Sequence, residues 1–349
     1  MDNSTYKKII ITCPRSNAGG VYQFVKNVLP FIPYSTHVLY RGSLKSDNSI
    51  IKVLRSITSV WITIRDMIKI HPELILVNSS LSKECLIRDG VIIRLARFFC
   101  IRPILIIHGF QESALQYTWL LNRSYFKSDM IFVLAKSFAD KLSDAGYEGE
   151  IISQFNPVDH NLIEHFSTKI LRPEISTFLF LARIEEIKGI FIALDTFKIY
   201  KISNPNIKML VAGTGGALEA AQEYVQTHDI KDVKFLGFVS GYEKEEAFRQ
   251  SDLMIFPSFN EGLPISVLEA MSAGLLIVTR PVGGLVDLYS KIDFGGITES
   301  IDPSDYIEII NRLVKENRIL ERKRRNQDFA FTNFHPQRIV SKIISEINS

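Results

Sequence analysis

The sequence has few cysteines and no apolar run long enough to span a bilayer. Its three cysteines, Cys13, Cys85 and Cys100, form no Cys-x-x-Cys pair and show no metal-ligand spacing. This pattern argues against a zinc site and against a disulfide framework. A transmembrane helix needs roughly 18–20 consecutive apolar residues, and no segment reaches that length. We therefore expect a cytoplasmic protein that is soluble or lies peripherally on a membrane.

We also expect no signal peptide, and the sequence shows no dense basic stripe. The N-terminal segment has no apolar region with a cleavage site before the strand-like run at 9–11. Net charge is +3, with 19 basic and 14 acidic residues over 1–165 and 22 basic and 24 acidic residues over 166–349. Nucleic-acid-binding domains usually carry a denser basic stripe, so we expect no nucleic-acid partner.

What the sequence does contain is a repeated alternation of short apolar runs and longer helical segments. The 349 residues are enough for two domains. Most of the runs are continuous in Ile, Leu, Val and Phe, which is typical of parallel strands buried on both faces. Predicted strands are 8–13, 36–40, 74–78, 103–107, 130–134, 150–154, 177–182, 207–212, 233–236, 253–257 and 275–279. The alternation predicts an α/β fold with parallel sheets.

The alternation restarts near residue 175, after a polar stretch at 159–176 that we interpret as a linker. We expect one Rossmann-like domain over 1–165 and a second over 166–330. Residues 303–349 contain helical patterns and no strand, and we expect 331–349 to be a helix that packs back toward the N-terminal domain.

The most informative stretch is 253–274, where a buried strand, a short polar loop and a helix follow one another. Glu261 lies in the loop at the carboxyl end of the strand, where open α/β sheets bind ligands. Pro264 suits the start of a helix and Gly274 its end. Glu269 lies about one and a half turns into that helix. The two carboxylates can reach two parts of one extended ligand, although a surface Glu and a helix Glu are the alternative interpretation.

This stretch resembles the nucleotide-sugar motif of the retaining glycosyltransferase family 4, within the group 1 glycosyltransferases. Glu261 and Glu269 match the two glutamates of its Glu-x7-Glu spacing, and Gly262 and Pro264 match its Glu-Gly-x-Pro core. The resemblance implies the GT-B fold, in which two Rossmann-like domains face each other across a cleft. It also implies that Glu261 contacts the donor sugar and Glu269 the ribose, while the N–H groups of Gly262 and Leu263 hold the sugar and the distal phosphate.

Residues 178–189 carry a second match, with Arg183 after a buried strand and Lys188-Gly189 at the start of a helix. Two cations at the carboxyl edge of a sheet can neutralise the charge that builds up on a departing diphosphate. By themselves an Arg and a Lys at this spacing are most often solvated. In the family these positions grip the donor diphosphate.

The glycine-rich turn 213–216 follows the second strand of its domain. It is not the complete fingerprint of a nicotinamide-binding domain, because no acidic residue ends the next strand. The turn is similar to the family's Gly-x-Gly turn, which places Gly213 and Gly215 close to the nucleotide. Phe238 and Val239 resemble the segment whose backbone reads the base.

Two segments of the N-terminal half match the family more weakly. Residues 17–21 resemble a glycine loop beneath the donor–acceptor gap, where Gly19 and Gly20 let the backbone approach the ligand. His108 follows the strand 103–107 and matches a histidine that faces the donor sugar. A single His after a strand is more often structural.

The resemblance implies a retaining transferase that uses a nucleotide-sugar donor, with Glu261, Arg183, Lys188 and His108 in the catalytic site. Most of the matching motifs lie within about 175–290 and few lie within 1–165. The sequence therefore indicates the type of donor but does not indicate the acceptor. We expect no metal and no cofactor, because the two cations replace a metal and there is no Asp-x-Asp motif. A glycan or polyprenyl-linked acceptor of bacterial surface polysaccharide synthesis is the hypothesis for the other substrate.

A membrane partner is a further hypothesis, based on the helix at 84–99. Arg88, Arg94 and Arg97 alternate there with apolar residues, so a basic amphipathic face could lie on an anionic bilayer. Core packing on one side and solvated arginines on the other is the alternative.

Three alternative functions stay open: a nucleotide-sugar hydrolase or epimerase on the same fold, a non-catalytic partner subunit, and a nicotinamide dehydrogenase. Turnover of donor alone would identify the first and NAD binding the third. The retained Glu261, Glu269, Arg183 and Lys188 argue against the second.

Overall fold

The computed structural model describes residues 7–16, 19–42 and 47–349. The chain forms two compact units, one of residues 1–157 with 336–349 and the other of residues 158–335. Each contains a six-stranded sheet whose pairings are all parallel. The α/β class predicted from the alternation is therefore confirmed.

The first unit has the strand order β2-β1-β3-β4-β5-β6. Its strands are β1 (Lys8–Pro14), β2 (Ser35–Arg41), β3 (Leu74–Leu81), β4 (Arg102–Phe110), β5 (Met130–Val133) and β6 (Glu150–Ser153). Its helices are α1 (Gly20–Val28), α2 (Ser49–Ile70), α3 (Lys83–Phe98), α4 (Thr118–Arg123), α5 (Lys136–Asp144) and, from the C-terminus, α14 (Pro336–Asn348).

Helices cover both faces of this sheet because successive strand residues point to opposite sides. Ile9 and Ile11 face a core shared with α1 and α14. Ile10 between them faces a second core shared with α2, α3, α4 and α5. Burial on both faces explains the continuous apolar runs from which the strands were predicted.

The second unit has the order β12-β11-β10-β7-β8-β9. Its strands are β7 (Thr177–Leu181), β8 (Lys208–Ala212), β9 (Val233–Gly237), β10 (Leu253–Phe256), β11 (Leu276–Thr279) and β12 (Gly295–Ile297). Its helices are α6 (His160–Phe166), α7 (Ile190–Ser203), α8 (Leu218–Thr227), α9 (Gly241–Gln250), α10 (Ile265–Ser272), α11 (Gly284–Lys291), α12 (Pro303–Lys315) and α13 (Ile319–Asn333).

Strand β12 was not among the predicted strands. It is three residues long, begins with two glycines and lies at the sheet edge beside β11. A β-carbon on Gly295 would lie 2.3 Å from the carbonyl oxygen of Ile277. Glycine is therefore required by the close pairing of this strand, and it also hides the strand from a search for apolar runs.

The stretch 159–176 does not act as an irregular linker throughout, because α6 occupies its first half. Asp159 caps this helix by accepting a hydrogen bond from the Asn161 backbone N–H at 3.0 Å. Leu162 and Phe166 are buried beneath it. The chain passes between the units at 157/158 and again at 335/336, compared with the expected boundaries at 165/166 and 330/331. Pro336 begins α14, whose apolar face packs on the sheet of the first unit.

Within residues 7–16, 19–42 and 47–349, we find no helix that is both long and apolar enough to cross a membrane.

Candidate active site

The loops that follow β7, β8, β9, β10 and β11 emerge at one edge of the second sheet, because parallel strands end on the same side. Every predicted residue of the C-terminal half except Glu269 lies in these loops. Open α/β sheets bind ligands at this edge. The contacts between the loops decide which of the predicted side chains come together.

Lys188 and Glu261 form a close ion pair. The Lys188 Nζ donates to Glu261 Oε1 at 2.6 Å and to the carbonyl of Asn260 at 3.2 Å. The Ser258 hydroxyl donates to the same carboxylate oxygen at 2.8 Å. The two charged side chains retain only 12% and 13% of their exposure. A cation and a carboxylate held this way present a polar, mostly desolvated point at the sheet edge.

Main-chain contacts between the loop after β7 and the loop after β10 position this pair. Lys188 ends a 3₁₀ turn, and Gly189 follows with φ +76° before α7 begins. The Phe259 N–H donates to the carbonyl of Ile187 at 2.9 Å. The pairing of Lys188 with Glu261 is therefore a consequence of main-chain contacts as well as of charge.

Glu269 lies in α10 and is 5% exposed. Lys244 of α9 donates to its Oε1 at 2.6 Å. Burial alone would lower the pKa of Lys244, but the adjacent carboxylate outweighs burial and holds that pKa above its usual value. The predicted ribose ligand, Glu269, thus already has a lysine partner.

Arg183 is not part of these pairs. Its guanidinium is 67% exposed and donates to Glu185 Oε1 at 2.7 Å. The structure therefore places Arg183 at the same edge of the sheet as Lys188 but does not pair the two side chains with one carboxylate.

The glycine turn after β8 packs directly against the loop after β7. Gly213 has φ +139°, and a β-carbon there would lie 1.8 Å from the carbonyl oxygen of Ala182. The Gly213 N–H donates to the carbonyl of Gly237 at 2.7 Å, which joins the turn to the end of β9. A β-carbon on Gly215 would similarly meet the Ile184 carbonyl at 2.3 Å. Beyond Gly237, the ring of Phe238 is 72% exposed.

The loop after β10 continues through Gly262 and Leu263 to Pro264, which precedes α10 in an extended conformation. The Gly284 N–H donates to the carbonyl of Gly262 at 2.7 Å. Leu263 is 4% exposed. A β-carbon on Gly283 would lie 2.3 Å from two carbonyl oxygens of this loop. The Gly-Gly element after β11 therefore supports the loop that carries Glu261.

Arg280 follows β11 and stacks its guanidinium 4.3 Å from the ring centroid of Phe259. Val239, the other predicted base-contacting residue, is half-buried after β9.

In the first unit, His108 lies near the end of β4 in a hydrogen-bond network with β3 and β1. Its Nε2 lies 2.9 Å from Asn78 Oδ1, and the Asn78 amide donates to the carbonyl of Thr12 at 3.0 Å. Burial, together with the nearby positive charge of Arg41, lowers the pKa of His108 to about 3. The imidazole is therefore neutral at physiological pH.

Gly19 and Gly20 lie at the start of α1, and Gly19 has φ +96°. A β-carbon at either position would meet nothing within 4 Å, so this backbone borders open space. Asn17 and Ala18 of the same predicted loop lie outside the described residues.

One group of side chains in the described part of the chain has the composition of a metal site. His160 and Glu164 of α6 and His335 place their ligand atoms within 4.8 Å of one another. The two imidazoles already share a hydrogen bond of 2.9 Å. This group lies outside the strand-end loops that hold the predicted site residues.

Several residues of the site were missed in the sequence. Lys244 lies in a helix rich in charged residues, Ser258 in a polar loop, and Asn78 inside an apolar strand. Only Asn78 gave a usable signal, because a polar residue within a buried strand needs a hydrogen-bonding partner.

Residues 164–328 match the family model of the glycosyl transferases group 1. An uncharacterized glycosyltransferase, YqgM of Bacillus subtilis, is 25% identical over 254 residues, which are 68% of each chain. The putative colanic acid biosynthesis glycosyltransferase WcaL of Salmonella typhimurium is 22% identical over 226 residues, which are 61% of this chain and 55% of that protein.

Among solved structures, Anabaena HepE in complex with UDP and glucose has a TM-score of 0.71 and 15% identity, over 99% of this chain and 100% of that one. Sucrose-phosphate synthase from Thermosynechococcus elongatus has a TM-score of 0.74 and 14% identity, over 98% of both chains. These similarities confirm the GT-B fold that the sequence motifs implied.

Proposed function

We propose that this chain is a group 1 glycosyltransferase, as the match of residues 164–328 to that family supports, and that it transfers a sugar from a nucleotide-sugar donor with retention of anomeric configuration. Within the group we propose membership of family 4, on the Glu-x7-Glu spacing of Glu261 and Glu269. The observation that carries the proposal is the Lys188–Glu261 pair at 2.6 Å, at the carboxyl edge of the second sheet.

The pair suits a sugar diphosphate because it presents opposite charges to adjacent parts of one ligand. Lys188 would bind a phosphate oxygen, and Glu261 would accept hydrogen bonds from sugar hydroxyls, as the family resemblance implies. Arg183, whose side chain is exposed, would turn from Glu185 to the diphosphate when donor binds. Charge-assisted bonds of this kind are about twice as strong as neutral ones.

The nucleoside end of the donor would lie toward Glu269. Its carboxylate has two oxygens, and Lys244 occupies Oε1, which leaves acceptor capacity for the ribose hydroxyls. Gly213 and Gly215 keep the neighbouring backbone free of side chains. The exposed ring of Phe238 offers a stacking surface for a base, and the backbone at Val239 would read its edge. Gly262 and Leu263 would donate main-chain N–H groups to the sugar and the distal phosphate.

We propose same-face attack by the acceptor, with the departing phosphate oxygen taking the acceptor proton. The bond from the anomeric carbon to the phosphate breaks as the new glycosidic bond forms, and no protein nucleophile is assigned. Arg183 and Lys188 stabilise the negative charge on the leaving diphosphate. No metal is required in this scheme, so turnover should be unchanged after treatment with a chelator.

We assign Gly19, Gly20 and His108 to the sugar and acceptor side of the reaction. The neutral imidazole of His108 can hydrogen-bond a hydroxyl group but adds no positive charge. For the acceptor we propose a lipid-linked glycan of bacterial surface polysaccharide synthesis, with the enzyme on the cytoplasmic face of the membrane. The match to a protein named for colanic acid biosynthesis supports this class.

The first experiment is a thermal-shift and calorimetric screen of the purified protein against UDP-, GDP-, ADP- and dTDP-sugars and NAD(H), without metal. A ligand that binds only the folded state raises apparent stability. Lys188→Ala and Glu269→Ala test the site, and Lys231→Ala, at an exposed lysine of the same unit, is the matched control.

We expect one class of nucleotide sugar to bind the wild type and the control, and both site variants to lose it. Binding that survives in both site variants would refute the donor site. Turnover of donor without any acceptor would favour the hydrolase or epimerase, and binding of NAD(H) alone would favour the dehydrogenase. Failure of every nucleotide sugar to bind the folded protein would favour a non-catalytic subunit.

A further inference from the structure

The outer surface of helices α2, α3 and α4 in the first unit carries large apolar side chains that the fold leaves uncovered. These helices lie on the same face of the sheet, where their inner residues share one core. Their outer residues include six that are between 38% and 80% exposed: Trp61, Ile68, Ile87, Val91, Phe98 and Trp119. We call this set the α2–α4 surface.

The opposite face of the same sheet provides an internal comparison. Helices α1 and α14 cover it, and none of their described residues is an exposed large apolar side chain. Isolated exposed apolar residues are normal on any protein, but a concentration on one layer of helices marks an interaction surface. The exposure is therefore a property of one side of this unit.

The three helices are neighbours on this face of the sheet. Helix α3 packs against both α2 and α4. A β-carbon on Gly90 of α3 would lie 2.4 Å from the Ser124 β-carbon just after α4, so glycine permits this close approach. In α3, Ile92 and Ile93 face the core, whereas Phe98 is 80% exposed. The helix therefore has one face in the core and one face that is exposed and partly apolar.

The charge of the same helices is strongly positive. Their sequences contain nine Lys and Arg residues and three Asp and Glu residues. Two of the three acidic residues are buried: Asp66, which pairs with His37 and Arg65, and Asp89, which pairs with Arg41. Of the acidic groups on these helices, only Glu84 is exposed.

Surfaces that bind the interface of an anionic bilayer typically combine aromatic and aliphatic side chains with lysine and arginine. The apolar groups enter the boundary between headgroups and acyl chains, while the long basic side chains reach the phosphates. In α4, Arg123 lies 4.5 Å over the Trp119 ring, which places an apolar body and a cationic tip side by side.

We propose that the α2–α4 surface binds the headgroup region of an anionic lipid bilayer. The proposal deepens the proposed function by naming how the enzyme reaches a lipid-linked acceptor, although its evidence is independent of the donor site. Charge complementarity favours anionic lipid, because these helices carry nine basic and three acidic residues. Four of the arginines are paired with carboxylates, so the favourable charge comes from the remaining basic residues.

Tryptophan fluorescence can report on this surface without a label. It contains two tryptophans, Trp61 and Trp119, and both belong to the surface with exposures of 69% and 64%. Phosphatidylcholine vesicles with and without phosphatidylglycerol would be added to the purified protein at low and at high salt. We expect binding in sedimentation and a blue shift of tryptophan emission only with phosphatidylglycerol, weakened by salt.

Trp61→Ser/Phe98→Ser should weaken vesicle binding at least tenfold. Ile170→Ser/Ile202→Ser, which removes two apolar side chains of similar exposure from the second unit, should leave it unchanged. Quenching of wild-type emission by brominated lipid tests insertion without any substitution, so a poorly folding variant does not decide the matter.

Absence of vesicle binding at low salt would overturn the proposal, and so would equal binding by both double variants. A blue shift that depends on protein concentration without vesicles would assign the surface to a second copy of the chain and would also overturn it. Donor binding is measured on the same samples. Its loss counts against the proposed function alone, whereas loss of vesicle binding with donor binding intact counts against this inference alone.

Discussion

The Lys188–Glu261 pair allows its structural role to be separated from its proposed role in donor binding. Substituting Lys188 by Met leaves the Glu261 carboxylate 13% exposed with Ser258 as its remaining side-chain donor. Removing one partner of a buried ion pair typically costs about 3–5 kcal/mol, because the other charge stays desolvated. Since this pair keeps some exposure, we expect about 3 kcal/mol, which corresponds to roughly 6–12 °C in the Tm of a unit of this size.

Neutralising both partners should remove most of that cost. In Lys188→Met/Glu261→Gln no unpaired charge remains, so the double variant should be more stable than the two single losses predict. We expect a coupling energy of about 1–3 kcal/mol from the urea unfolding of all four proteins. Donor affinity should not recover in the double variant, because both ligand-binding groups are gone.

The exposed pair of Lys231 and Asp229 is the matched control in the same unit, with side chains 69% and 75% exposed. Its coupling energy should be below about 1 kcal/mol. Additive losses at Lys188 and Glu261, with a coupling no larger than that of the control, would refute the view that this pair is desolvated and mutually dependent. Recovery of donor binding in the double variant would refute its assignment to the donor site.

Three further changes have defined outcomes. Glu269→Gln should weaken donor binding by at least about tenfold in calorimetry, since one charge-assisted bond is lost and Lys244 loses its charged partner. Unchanged affinity would refute the assignment of Glu269 to the ribose. Gly213→Ala should cost about 2–6 kcal/mol in urea unfolding, because a β-carbon meets the Ala182 carbonyl at positive φ; a neutral effect would contradict this packing. The pKa of His108 is lowered to about 3 in the folded protein, so on acidification this histidine is protonated first in the unfolded chain. The free energy of unfolding should therefore fall as pH decreases from about 6.5 to 3, by at most about 1.4 kcal/mol per pH unit. An equally steep pH profile for His108→Gln would exclude this cause.

The sequence was sufficient for most strands that are buried on both faces, because such strands consist mainly of continuous apolar residues. Thus the runs at 103–107 and 253–257 coincide with β4 and β10 to within a few residues. It failed at β12, where two glycines provide close pairing instead of apolar bulk. It also failed at α6, whose short amphipathic pattern is masked by polar neighbours.

For the candidate site, the sequence motif located Lys188 and Glu261 but could not show that they touch. Their contact depends on hydrogen bonds between two loops that are separated by 73 positions in the chain. Lys244 was missed for the same reason, since its partner Glu269 belongs to a different helix. Single-residue patterns report which side chains a loop carries, whereas pairings between loops are set by the strand order.

The difference between the two halves of the chain has a physical origin. In the second unit the loops approach so closely that particular positions admit only glycine, as at Gly213 and Gly283. The glycines at such positions can be recognised in the sequence. In the first unit, Gly19 and Gly20 border open space, and the α2–α4 surface is built from exposed side chains whose identity the fold does not dictate. The proposed donor site, which is made from close backbone packing, therefore appears in the sequence as a motif. The proposed membrane surface can be recognised only when the helices that share it are placed side by side.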